Sequence, residues 1–194
     1  VVEIINTKGE EFSLFDEQFL NDVANMKEKN LAIEMLKKLL AQHIKKHQKK
    51  NLTQAELFSE MLDKRLAEYL RGMISNEEVI KELLEMAKLM KQHAEEGNAL
   101  GLSDEEQAFY DALTRPRAVK DFYENNQLVA MAREITDALR KNRTLDWRQK
   151  ETARAKMRTM IKRLLKKYHY PPEEAQNAIE VVMRQCELWA DNEE

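Results

Sequence analysis

The largest concentration of residues able to do chemistry in this sequence is cationic. Residues 140–167 hold twelve Lys or Arg against two acids, Asp146 and Glu151, in a chain whose net charge is only −3. Such asymmetry singles out one segment for contact with something anionic. Wound as a helix over 147–168 with Trp147 at 0°, Met157, Met160, Ile161, Leu164, Leu165 and Tyr168 fall between about 220° and 360°. Arg148, Lys156, Arg158, Lys162, Arg163, Lys166 and Lys167 spread over about 20° to 200° on the other side, with Glu151 as the one acid among them. Side chains of this kind, at this spacing, meet phosphates along a nucleic-acid backbone or the acidic surface of a protein. The competing reading is a solvated face whose charge the acidic remainder of the chain offsets. No aromatic residue is interleaved on the cationic side, so stacking on bases is not expected. Lys150 and Arg154 lie nearer the apolar arc, where they either snorkel outward or meet carboxylates of a neighbouring helix.

Other candidate groups carry less. His43 and His47 stand four residues apart, on one side of a helix, as two zinc-binding imidazoles would. A stable site wants further ligands and the HExxH pattern is absent, so half-buried histidines at the core edge are expected. The single Cys186 has no recognisable histidine partner and reads as a small core residue. Trp147 and Trp189 sit at helix ends at apolar spacing and read as core plugs. Neither G-x-x-x-x-G-K-[ST] nor G-x-G-x-x-G occurs, and four glycines at turns and helix ends cannot supply a phosphate-cradling loop. No acidic cluster of the metal-dependent nuclease type follows a strand. The sequence thus predicts no catalytic residue, no metal site and no cofactor of its own.

The elements that must position the cations are helical throughout. Gly numbers 4 and Pro 3, while Leu, Lys, Glu, Ala and Met, which lose least on entering a helix, dominate. Hydrophobic residues at 43% allow a core, and charged ones at 35% give most helices a wet face. Thr53-x-x-Glu56, Ser75-x-x-Glu78 and Ser103-x-x-Glu106 read as capping boxes. Gly72 and Gly97 sit where left-handed helix stops belong, and Pro116 and Pro171-Pro172 mark further boundaries. Helices are therefore predicted at 17–26, 30–50, 54–71, 76–96, 104–114, 117–123, 126–141, 147–168 and 172–190. The expected fold is all-α: a single compact domain of eight or nine helices over 16–194, with an extended lead over 1–15 in which Val1 to Ile5 form a strand or strap. Helix 30–50 carries Leu31, Ile33, Met35, Leu36, Leu39, Leu40 and Ile44 over about 220° of arc, wide enough to predict a central helix packed on more than one side.

One cysteine excludes a disulfide framework and suits a reducing compartment. No apolar run approaches the roughly 20 residues that cross a bilayer, which predicts a soluble protein. The first residues, Val1-Val2-Glu3, lack a start Met and a signal peptide, as expected of a piece of a longer chain.

Four segments, taken in order, resemble a known family: 29–40 (KNLAIEMLKKLL), 58–62 (FSEML), 101–113 (GLSDEEQAFYDAL), and the run from Asp146-Trp147-Arg148 to the KKYHYPP of 166–172. Together they resemble the C-terminal helical domain of the restriction (R) subunit of type I restriction-modification enzymes, with the Gly-Leu-Ser and Asp-Trp-Arg landmarks the most specific. The resemblance implies a bacterial or archaeal cytoplasmic enzyme whose R subunit pumps DNA with ATP and Mg and cuts it, those cofactors belonging to other parts of the subunit. It implies modification (methyltransferase) and specificity subunits as partners, with double-stranded DNA, and a role for this segment in assembly and non-specific backbone contact. It carries no catalytic residue into the segment. A purely structural helical adaptor, docking on protein without DNA, stays open beside it.

Overall fold

The computed structural model describes residues 14–115, 117–142, 147 and 149–190. The lead expected at 1–15 falls almost wholly outside that range, as do Pro116 and Arg148. Among the described residues the chain is all-α, as expected, with helices α1 (Glu17–Ala24), α2 (Lys29–His47), α3 (Leu52–Leu70), α4 (Asn76–Ala99), α5 (Asp104–Thr114), α6 (Arg117–Phe122), α7 (Asn125–Asn142), α8 (Glu151–Lys167) and α9 (Pro172–Ala190). None of them is long and apolar enough to cross a membrane.

The boundaries follow local chemistry. Ser75 and Glu78 exchange side-chain and backbone hydrogen bonds ahead of α4, at 2.7 and 3.2 Å, and Ser103 and Glu106 do the same ahead of α5, at 2.9 and 3.2 Å. Each pair satisfies two orphan helix N–H groups. The third expected box does not form. Asn51 takes that place, its Oδ1 accepting the Gln54 N–H at 3.1 Å, and Thr53 is buried one residue inside α3. Glu56 then bonds two cations, Arg115 at 3.1 Å and Arg184 at 2.8 Å. The stop expected at Gly97 lies four residues on, at Gly101 (φ +66), where the Leu102 N–H returns to the Gly97 carbonyl at 3.0 Å. Gly97 itself allows close approach, since a Cβ there would collide with the side-chain amide of Gln107.

Contacts gather the chain into two compact units, the first made of residues up to His43 with Ser59–His93, the second of Ile44–Phe58 with Ala94 onward. In the first, Ala32, Ile33, Leu36 and Leu40 of α2 are buried, as are Val79, Leu83, Met86 and Met90 of α4, and Arg65 bonds Glu82 at 2.7 Å. The expectation that α2 packs on more than one side is overturned. Glu34, Lys37, Lys38, Ala41, Gln42 and Lys45 leave one side in solvent, and Leu31 is 37% exposed. The arc was wide because it counted Leu31 and Met35, which lie beyond the buried stripe. That stripe is nonetheless closely packed: Leu36 and Leu40 are 0% exposed, so Leu36→Ala should cost about 2–5 kcal/mol in chemical denaturation.

In the second unit α5 packs on α6, α7 and α9, while α8 packs on α7 and α9. Their shared core includes Phe109, Leu113, Leu128, Met131, Ile135, Trp147, Ile161 and Val182. This is the frame that holds the cationic helix. Cys186 is buried in it, as expected of a small core residue, and Trp189 meets the Phe109 ring edge-on at 5.1 Å.

Candidate nucleic-acid interface

The helix expected over 147–168 is shorter. Trp147, 2% exposed, plugs the core from a turn, and α8 itself starts at Glu151 after the extended Lys150. Met157, Ile161 and Leu165 are 2%, 0% and 1% exposed and fix one side of α8 to the core. The C-terminal end is pinned by two tyrosines. Tyr123 donates to the Tyr168 carbonyl at 2.7 Å, and the buried Tyr170 hydroxyl donates to the Leu113 carbonyl at 2.7 Å. Burial of Tyr170 pushes its phenol far above the usual range, keeping the hydroxyl a donor at all ordinary pH. Between them His169 adopts φ +56, a left-handed helix stop made without glycine, and the Tyr170 N–H returns to the Leu165 carbonyl at 2.9 Å.

With the inner side held, the outer side divides into a middle and two edges. Lys156, Lys162, Arg163 and Lys166 are exposed and make no ion pair among the described residues. Thr152, Ala155 and Thr159 share the exposed face with them, so no acid interrupts this stretch of α8. The four span about 120° of arc and about 15 Å of helix. Such a length of duplex presents about nine phosphate charges, so each cation has one within reach.

The edge cations have other duties. Arg158, next to buried Leu165 on the wheel, is 33% exposed and lies 3.5 Å from Glu180 of α9, an electrostatic contact without the alignment of a hydrogen bond. One turn earlier Arg154, 30% exposed, stands 2.6 Å from Glu187, so of the two fates open to it the carboxylate contact is the one realised. At the other edge Lys167 Nζ bonds Glu134 Oε1 of α7 at 2.7 Å, and the Tyr168 hydroxyl donates to Oε2 of the same carboxylate at 2.5 Å. Lys167, then Tyr168, hold the Glu134 carboxyl below its usual range, and the bond to Glu134 raises Tyr168 to about 12. The Glu134 contact therefore persists at neutral pH and is broken as pH falls through the carboxylate range. Of the seven residues singled out in the sequence, four form a stripe without ion pairs among the described residues, two are paired, and Arg148 lies outside the described residues. The wheel places side chains around one helix and cannot show Glu134, Glu180 or Glu187 arriving from others.

The histidines look the same from both directions. His43 and His47 are half-buried, and the His43 ring meets Phe15 edge-on at 5.2 Å.

Comparison with known proteins adds a family. A family model described as type I restriction enzyme HindI endonuclease subunit-like, C-terminal, matches residues 1–192. The type I restriction enzyme HindI endonuclease subunit of Haemophilus influenzae is 35% identical over 190 residues, 98% of this chain and 18% of that protein. A protein of Methanocaldococcus jannaschii, named as the MjaIXP type I restriction enzyme endonuclease subunit, is 30% identical over 168 residues, 86% of this chain and 16% of its own length. The chain thus spans less than a fifth of the curated relatives it matches. No solved structure matches it.

Proposed function

The chain belongs to the family of HindI-like C-terminal regions of type I restriction endonuclease subunits, and from that premise we propose that it is a non-catalytic module serving complex assembly and non-specific contact with the backbone of double-stranded DNA. One observation carries the DNA contact: the stripe of Lys156, Lys162, Arg163 and Lys166, exposed, uninterrupted by acid and held outward by a buried opposite side. An enzyme that cuts DNA must hold duplex of any sequence, and phosphate contacts position without reading bases. Support for assembly comes from the relatives, both named as subunits, and by resemblance the modification and specificity subunits are the partners. The ATP and Mg that the resemblance implies for the parent do not fit here, because the sequence has no phosphate-cradling loop.

Duplex binding measured against salt tests the reading. Four phosphate contacts at about −0.9 each make the slope of log K against log salt at least as steep as about −3. A slope shallower than about −1 for the 194-residue chain would leave the stripe solvated and favour the adaptor that docks on protein alone.

A further inference from the structure

The stripe on α8 is not the chain's only cationic surface. Between Glu34 and Glu56 the sequence holds no acid at all, yet it holds Lys37, Lys38, Lys45, Lys46, Lys49 and Lys50. All six are exposed, on the solvent side of α2 and the turn that follows it. Lys37 lies 4.0 Å from Glu34 and Lys50 2.9 Å from Asp104, whereas Lys38, Lys45 and Lys49 make no ion pair among the described residues. Attraction to the negative end of α2 accounts for cations in its last turn. It does not account for Lys37 and Lys38, about two turns earlier, where the effect has faded.

The turn that carries Lys49 is fixed from beneath. Gln185 of α9, 1% exposed, accepts the Leu52 N–H at 2.6 Å and donates to the Lys49 carbonyl at 2.9 Å. Asn51 caps α3 and donates to Asp111 at 2.6 Å. The backbone is thus held in place while the lysine side chains extend into solvent, so that binding has little backbone left to order.

We propose that the exposed side of α2 with its following turn is a second contact surface for the phosphate backbone of duplex DNA. The residue type decides between the two available polyanions. Protein interfaces are depleted in lysine and use arginine, whose planar fork pairs with carboxylates. Here all six cations are lysine, the compact, strongly hydrated charge suited to sequence-independent attraction to phosphate. The inference rests on the reading that this chain handles duplex DNA, but on different residues.

The two are separable by experiment. Duplex binding is measured against salt for wild type, for Lys38→Gln, Lys45→Gln and Lys49→Gln combined, and for a variant with the α8 stripe neutralised, in the 194-residue chain and in the full-length subunit. Circular dichroism confirms unchanged helix content. The α2 variant should bind at least tenfold more weakly near 0.1 M salt, its slope shallower by about 2–3. The corresponding Lys→Arg variant should retain wild-type binding. If the α2 variant binds weakly while the α8 variant binds as wild type, the α2 surface stands and the α8 stripe falls. Wild-type slope and affinity in the α2 variant would overturn the proposal. So would unchanged DNA binding with impaired capture of the purified modification and specificity subunits, which would make the surface a protein contact.

Discussion

Trp147→Ala should destabilise the chain by about 3–5 kcal/mol, the range for removing a large buried aromatic side chain. Trp147 is 2% exposed and belongs to the same core as Met157, Ile161 and Leu165 of α8 and Leu128, Met131 and Ile135 of α7. Four residues before α8 begins at Glu151, it anchors the chain as it enters that helix. The penalty combines transfer of the indole out of the core with the cavity left behind, which neighbours at 0–2% exposure fill only partly. Trp147→Phe keeps most of the volume and should cost much less. Denaturant titration gives both values, and a Trp147→Ala penalty under about 1 kcal/mol would mean that the indole does not plug this core.

Much of this architecture is legible in the sequence because helix ends are written in short-range chemistry. Ser75 and Ser103 announce α4 and α5 by the carboxylate three residues on, and each box forms. Where the reading goes astray, the deciding partner is often distant in sequence. Thr53 and Glu56 have the spacing of a box, but Asn51 reaches the helix start first, and Arg115 and Arg184 engage Glu56 from other elements. Gly97 resembles a stop, yet it is needed where Gln107 comes close, and Gly101 ends the helix instead. On α8 periodicity separates the wet side from the buried one, but which cations stay unpaired depends on Glu134 and Glu180, supplied by α7 and α9. The α2 lysines had a visible signal, the absence of any acid between Glu34 and Glu56. It is overshadowed by the larger excess at 140–167.

The second large effect follows from that division of α8 into a free middle and paired edges. Changing Lys156, Lys162, Arg163 and Lys166 to Gln removes four exposed charges that make no ion pair among the described residues, so helix content and stability should be unchanged within about 0.5 kcal/mol. If three or four of them meet phosphates, duplex affinity near 0.1 M salt should fall about a hundred- to a thousand-fold, alike for every sequence. Lys167→Gln, which removes a cation already bonded to Glu134, should change binding little at neutral pH. Arg158→Gln should affect stability more than DNA, because it removes the cation 3.5 Å from Glu180 where α8 meets α9.

The most direct test of the α8 stripe as a DNA-binding surface is the salt dependence of duplex binding by the four-residue Gln variant beside wild type. The slope of log K against log salt should become shallower by about 3 in the variant, at roughly 0.9 for each phosphate that the protein no longer neutralises. A variant that keeps both the wild-type slope and the wild-type affinity, in the chain alone and in the full-length subunit, would contradict it.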